Sequence, residues 1–148
     1  GGGIRLDAYV NQAARRGLAD RAHFTGALDV DQVVAYLRFA DICVLFYPDT
    51  PYNRLRESMK LREYLAMAKP VVCNTAGNLA EFAPFCHPLS NDPGEFAAQF
   101  GERIGRDIIA DGREMRGRSY VAKNYDWENI GRELADRLCS ELGKKKTI

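Results

Sequence analysis

The feature that most constrains the fold is one unbroken apolar run that starts at residue 42 and is stopped by Pro48. Apolar and polar residues do not alternate in it, which is typical of a strand covered on both faces, so we predict a strand over 42–46. Further strand-like runs occur at 22–25, 70–73 and, more weakly, 85–89. Helical segments separate these runs, as in crossover connections between parallel strands. We therefore predict an α/β fold, a Rossmann-like three-layer domain with a parallel sheet.

The remaining segments show helical spacing or helix-capping residues. Gly17 is placed to end the first helix, and Asp29 or Asp31 to cap the second. Gly77 marks a turn, and the polar segment 48–56, with two prolines, is predicted as a loop. No strand is predicted after residue 93, so a helical tail is expected from about residue 94. The other predicted helices span 4–17, 58–68, 79–82, 94–109, 112–124 and 127–142.

The composition is that of one ordinary domain. Of its 148 residues, 46% are apolar and 28% are charged, which excludes disordered, collagen-like and fibrous chains. With 21 basic and 20 acidic residues the net charge is +1, so no overall field attracts the chain to nucleic acid or to an anionic membrane. No apolar run approaches the roughly 20 residues that cross a bilayer, so no transmembrane helix is predicted. Lysines 144–146 are interpreted as a solvated end.

The four cysteines, Cys43, Cys73, Cys86 and Cys139, show no C-x-x-C spacing. We interpret them as small buried apolar side chains. The chain has only 2 histidines, and a zinc site is not expected. Free thiols fit a reducing compartment, so a cytoplasmic protein is expected.

Ligands of open α/β sheets bind outside the carboxyl ends of the strands. The longest loop expected there, 48–58, carries Arg56 and brings Ser58, Met59 and Lys60 to the start of a helix. The unpaired N–H groups and the dipole of that helix end attract anions, and the lysine adds a full positive charge. A phosphate group fits this site.

Glu63 lies about one turn into the same helix. The apolar stripe of this helix consists of Leu61, Tyr64, Leu65 and Ala68, and a rotation of about 100° per residue places Glu63 on the opposite side. A carboxylate there can accept hydrogen bonds from a polyol such as ribose. The alternative is a surface ion pair with the lysine three residues before it.

Five segments, in order along the chain, carry a resemblance to a known family. Residues 58–72, S-M-K-L-R-E-Y-L-A-M-A-K-P-V-V, are similar to the E-Y-M-A-x-G-K-P-V-V block of GT-B glycosyltransferases, especially glycosyltransferase family 4. The others are H-F-T-G at 23–26, Y-L-R-F-A-D-I-C-V-L-F-Y-P at 36–48, A-G-N-L-A-E at 76–81 and Y-D-W-E-N at 125–129. The chain resembles the nucleotide-binding, C-terminal half of such an enzyme.

The resemblance implies both an activity and a division into domains. Enzymes of this group 1 type bind a nucleoside diphosphate sugar between two Rossmann-like domains and transfer the sugar to an acceptor, usually with retention and without a metal or other cofactor. It implies that residues 1–148 form one donor-binding domain of a hexosyltransferase whose acceptor-binding domain precedes Gly1. We then expect the fragment alone to be inactive and to hold no catalytic residue. The resemblance is compatible with peripheral association of the parent enzyme with a membrane.

The resemblance also implies donor-binding roles. Glu63 matches the second acid of the E-x7-E motif, which holds the ribose hydroxyls. The backbone of Ser58 and Met59 matches the turn that meets the diphosphate and the donor sugar, and Gly26 and Ala27 would lie near the base. Two positively charged residues near the helix start complete the set of expected donor-binding residues. They are Lys60 and Arg56.

The sequence departs from the family pattern at two positions. Leu55 stands where the motif has its first acid, which faces the donor sugar, and Glu57 is close but out of register. Ala68 stands where glycine is usual.

A second interpretation is a non-catalytic Rossmann-like or flavodoxin-like module whose arginine-rich loop binds a protein partner. A receiver domain is disfavoured because Asp41 precedes its strand instead of following it. Elsewhere, His23 is interpreted as a structural histidine and Trp127 as an anchor of the last helix in the core. The residues explain no role for Glu81.

Overall fold

The computed structural model describes residues 2–104, 108 and 111–144. The chain divides into two compact units, Gly1–Phe39 and Ala40–Ile148, and each is described by itself. The sheet and the loop with the candidate anion site lie in the second unit.

The first unit contains two helices, α1 (Leu6–Arg15) and α2 (Val30–Phe39). Gly17 has a left-handed φ of 68° just after α1, which is the conformation of a residue that ends a helix. Asp29 caps α2: its Oδ1 accepts a hydrogen bond from the Gln32 N–H at 2.8 Å, and the Gln32 Oε1 accepts one from the Asp29 N–H at 3.0 Å. This reciprocal pair is a capping box, so the first of the two predicted caps is used.

The strand predicted over 22–25 is wrong. These residues have no regular structure, and the sheet in the described part of the chain does not include them. A strand needs a neighbour to satisfy its N–H and C=O groups, and local residue preference does not supply one. Gly26, which follows this segment, has a left-handed φ of 67°, a conformation that favours glycine.

The second unit is built on a 3-stranded sheet in the order β1 (Cys43–Leu45), β2 (Val71–Cys73) and β3 (His87–Pro88). Both pairs of neighbouring strands are parallel, with the register Cys43↔Val71 and Val72↔His87. This sheet confirms the predicted α/β fold and the three strands predicted after residue 40.

Helices connect and follow these strands. In chain order they are α3 (Pro51–Arg54), α4 (Met59–Ala66), a 3-10 helix (Gly77–Phe85), α5 (Pro93–Arg103), α6 (Arg113–Asn124) and α7 (Trp127–Lys144). The helical end of the chain is confirmed. α5 ends before the predicted residue 109 because Ile104 has extended backbone; residues 109 and 145–146 lie outside the described part.

Two connections differ from the prediction. α3 interrupts the predicted loop 48–56, because the Thr50 hydroxyl accepts the Asn53 N–H at 3.2 Å and Pro51 occupies the first helical position. The helix predicted at 79–82 is part of a longer 3-10 helix that contains Pro84, a residue without an N–H donor.

Helices cover both faces of the central strand β2, whose residues are all fully buried. On one face Val72 packs with Leu89 and with Phe96 of α5. Alternation along the strand points Val71 and Cys73 to the other face, where α4 packs against β2. These layers bring the ends of the strands and the start of α4 to one edge.

α7 accounts for two wrong predictions. Cys43, Cys73 and Cys86 are buried as expected, but Cys139 on α7 is exposed. Trp127 at the start of α7 is 79% exposed and does not lie in the core. Helical spacing identifies an apolar face but not what covers it, and the leucines of α7 are also exposed in the described structure.

Candidate functional site

Side-chain amides join the ends of the strands. Asn74, which follows β2, is fully buried. Its Oδ1 accepts the Tyr47 N–H at 3.0 Å, and its Nδ2 donates to the Tyr47 carbonyl at 2.8 Å. The same Nδ2 donates to the Asn91 Oδ1 at 3.0 Å, and this oxygen also accepts the Thr75 N–H at 3.0 Å. These bonds extend the sheet beyond its last paired residues and fix the edge from which the loops leave.

α4 begins at this edge. Ser58 is its N-cap and is 1% exposed, and its Oγ accepts the Leu61 N–H at 3.3 Å. The Tyr47 hydroxyl oxygen lies 3.1 Å from the same Oγ. Leu61 and Leu65 bury the inner face of the helix. The start of α4 is therefore held against the end of β1.

Positive groups surround the start of α4. The Arg56 guanidinium lies 4.7 Å from the centroid of the Tyr47 ring, a cation–π contact. Lys60 is exposed on the first turn. The first N–H groups of a helix have no partner within it, and the dipole adds about half a positive charge. This end of α4 can hold an anion such as phosphate.

An ion pair stiffens the loop before α4. The Arg54 guanidinium donates to both carboxylate oxygens of Asp49, at 2.7 and 3.0 Å. The hydrogen bond from Arg54 lowers the pKa of Asp49 below its ordinary value. Asn53 Nδ2 donates to the Pro48 carbonyl at 2.9 Å, which closes the loop further. Leu55, at the place of the motif's first acid, is 90% exposed.

Glu63 is exposed on the face of α4 opposite the buried leucines, as the helical spacing predicted. It lines a depression of about 420 Å³ together with Met59 and the exposed ring of Trp127. Lys60 and Glu63 both lie in the part of the chain that the structure describes, and no ion pair joins their side chains. The surface pair considered as the alternative for Glu63 is therefore not formed.

A network that the sequence analysis missed holds one wall of this depression. Arg62 pairs with Glu57, and its guanidinium lies 4.0 Å from the centroid of the Tyr125 ring. The hydroxyls of Tyr125 and Tyr120 both donate to Glu81 Oε1, at 2.9 and 2.8 Å. Burial and then the hydrogen bond with Glu81 raise the pKa of Tyr125 to about 12. Glu81 thus ties the 3-10 helix to α6 and to the residue that follows it.

The family described as "Glycosyl transferases group 1" matches residues 1–106, well over half of the chain. The chain belongs to this family. Among its curated relatives is the protein named as the teichuronic acid biosynthesis glycosyltransferase TuaH of Bacillus subtilis (strain 168). It is 28% identical over 114 residues, which cover 75% of this chain and 28% of TuaH.

A solved structure of sucrose-phosphate synthase from Thermosynechococcus elongatus resembles this group 1 glycosyltransferase domain with a TM-score of 0.71. The match covers 95% of this chain and 34% of that one at 20% identity, so it shows the fold, that of a GT-B glycosyltransferase domain. The chain spans about a third of the length of these two relatives.

The predicted donor-site residues of the glycosyltransferase domain divide between the two units. Those that lie together are on α4 or just before it: Arg56, Ser58, Met59, Lys60 and Glu63. Gly26 and Ala27 belong to the first unit. The roles of all seven toward a ligand stay predictions.

Two further findings concern only residues 2–104, 108 and 111–144. No three His, Cys, Asp or Glu side chains of these residues are grouped as metal ligands would be. None of their helices is long and apolar enough to cross a membrane.

In the first unit, His23 is exposed and its Nε2 lies 3.4 Å from the Tyr36 hydroxyl oxygen.

Proposed function

We propose that this domain binds the nucleoside diphosphate sugar of a retaining glycosyltransferase of the hexosyltransferase class. One observation carries the proposal: in a chain of this family, α4 begins beside the cations Arg56 and Lys60 and exposes a carboxylate, Glu63, about one turn later. Gly26 and Ala27 are proposed to lie near the base.

In this proposal the diphosphate lies at the start of α4. Its oxygens accept hydrogen bonds from the N–H groups of Met59 and Lys60, and the side chains of Arg56 and Lys60 balance its charge. Negative charge grows on the diphosphate as the sugar leaves, and fixed dipoles stabilise that charge without rearrangement. The proposal therefore includes no metal cofactor.

Glu63 is proposed to receive the ribose. Four residues of an α-helix rise about 6 Å, so Glu63 lies one sugar length from a phosphate bound near Met59. The two oxygens of a carboxylate can accept two vicinal hydroxyls. The ring of Trp127, which lines the same depression, adds an apolar surface beside them.

Acceptor binding and the transfer step are assigned to another part of the full-length protein. The matched region covers 28% of TuaH and 34% of the sucrose-phosphate synthase chain, so proteins of those lengths are long enough to contain a second domain. We expect the 148-residue domain alone to be inactive as a transferase.

Calorimetric titration of the full-length protein with UDP, GDP, ADP and CDP tests the proposal. For the tightest ligand, Glu63→Gln should lower the affinity at least about tenfold, because a charge-assisted hydrogen bond contributes about 1.5–3 kcal/mol. Glu102→Gln removes an exposed charge from α5 and should leave the affinity unchanged. Equal affinities for wild type and Glu63→Gln would exclude Glu63 from the donor site.

A further inference from the structure

We infer that Glu81 is a positioning residue: it keeps the Arg62 guanidinium away from Glu63, the carboxylate proposed to receive the ribose. It acts through Tyr125, whose hydroxyl it holds and whose ring lies against Arg62. Glu81 is not among the residues that line the depression beside Glu63, so its effect on a ligand is indirect. The inference rests on the proposed function, since it concerns the access of the ribose to Glu63.

Two tyrosine hydroxyls meet at one oxygen of Glu81. Tyr125 and Tyr120 donate to its Oε1 at 2.9 and 2.8 Å. Burial and the bond with Glu81 raise the pKa of Tyr125 to about 12, so its hydroxyl stays protonated and remains a donor at neutral pH. The Tyr125 ring also packs on the buried Phe82, with 5.9 Å between the ring centroids. The core therefore holds the ring in place, and Glu81 fixes how it is turned.

The Tyr125 ring determines where the Arg62 guanidinium lies. The guanidinium carbon is 4.0 Å from the ring centroid, a cation–π contact, and Arg62 also pairs with Glu57 before α4. The Nε–H of Arg62 is buried and has no hydrogen-bond partner in the part of the chain that the structure describes. A guanidinium has five N–H donors, so Arg62 would gain a hydrogen bond by turning toward another carboxylate.

Glu63 is that carboxylate. Arg62, Glu57 and Glu63 all line the same depression, and no ion pair among the described residues engages the Glu63 side chain. Without the oriented ring, the guanidinium can lie between Glu57 and Glu63 and bond with both. It would then occupy the oxygens that are proposed to accept the ribose hydroxyls. The bond at Glu81 prevents this and leaves Glu63 open to a ligand.

The test titrates the tightest nucleoside diphosphate and inorganic pyrophosphate into the full-length protein. Glu81→Ala should weaken the nucleoside diphosphate about three- to fivefold, the scale of a competing ion pair at a partly exposed site. The affinity for pyrophosphate should stay the same, because pyrophosphate has no ribose. Glu81→Gln keeps an acceptor oxygen for the two hydroxyls and should retain both affinities.

Tyr125→Phe and Tyr120→Phe form a matched pair. Each removes one hydroxyl from Glu81, but of the two rings it is that of Tyr125 that lies against Arg62. Tyr125→Phe should reproduce the loss seen in Glu81→Ala, and Tyr120→Phe should leave both affinities unchanged. Thermal melts establish that each variant is folded, and Tyr125→Phe takes the place of Glu81→Ala if the latter is not.

Removal of the competing cation distinguishes positioning from a purely structural role. In the Arg62→Met background, Glu81→Ala should change the nucleoside diphosphate affinity by less than about twofold, since no guanidinium is left to reach Glu63. A loss that persists in this background would overturn the inference, as would an equal loss for pyrophosphate. Unchanged affinities in folded Glu81→Ala, or an equal effect of Tyr120→Phe, would overturn it as well.

The proposed function is tested separately by Glu63→Gln. If this variant weakens the nucleoside diphosphate and Glu81→Ala does not, the ribose role stands and the inference is wrong. If Glu63→Gln changes neither affinity, the ribose role is wrong and the inference falls with it. A wild-type protein that binds neither probe overturns both proposals.

Discussion

Gly77 is a position where one added methyl group should have a large effect. Its φ is +59°, and a Cβ there would lie 2.5 Å from the Asn53 carbonyl oxygen and 3.0 Å from the Arg54 Cα. A left-handed backbone costs other residues roughly 1–2 kcal/mol, and separating overlapping packed atoms costs about 1–3 kcal/mol more. We therefore expect Gly77→Ala to lower the free energy of unfolding by about 2–5 kcal/mol.

Urea unfolding of Gly77→Ala and Gly112→Ala separates the two contributions. Gly112 also has a left-handed φ, 79°, but apart from its chain neighbours no atom of the described residues lies within 4 Å of its added Cβ, so Gly112→Ala should lose only about 1–2 kcal/mol of stability. Gly77 contacts α3, in the loop that leads into α4, so its variant should also bind the nucleoside diphosphate more weakly. Equal losses of stability in the two variants would show that the close approach at Gly77 contributes nothing, and the reasoning would be wrong.

Ala68 has a left-handed φ of 51° just beyond α4, so Ala68→Gly should raise the free energy of unfolding by about 1 kcal/mol; a loss in the same urea titration would contradict this. His87 is 2% exposed, and burial lowers its pKa below its ordinary value. The unfolded chain thus binds the proton more tightly, and stability present above about pH 6.5 is lost as the pH falls, at up to about 1.4 kcal/mol per pH unit. His87→Leu should flatten this slope as the pH falls below about 6.5, and a variant with the wild-type slope would show that His87 does not cause it.

Local sequence patterns are sufficient to predict the strands of the sheet and the helix α4. β1 and β2 are short apolar runs, and α4 has a serine cap and a repeating apolar stripe, so each is defined by residues near one another in sequence. The segment 22–25 shows the limit of such patterns, because a strand also depends on a neighbour that the segment itself does not encode. Val44 of β1 is 45% exposed, so the prediction that this run is covered on both faces is wrong at that position.

α3 could have been predicted, because its signal is local. Thr50 followed by Pro51 is a cap followed by a residue suited to the first helical position, but two prolines in a polar segment also favour a loop. The contacts that build the site are different in kind. Asn74 and Tyr47 are 27 residues apart in sequence, and the contact between Arg62 and Tyr125 joins α4 to the residue that follows α6, so only the folded chain reveals them.

The period of α4 explains why one short helix can serve both the fold and a ligand. Its buried groups, Ser58, Leu61 and Leu65, face the sheet and fix where the helix starts. A rotation of about 100° per residue turns Met59 and Glu63 to the outside, where the structure leaves both exposed. Substitutions on the buried side should therefore act on stability and binding together, whereas Glu63→Gln should change binding alone.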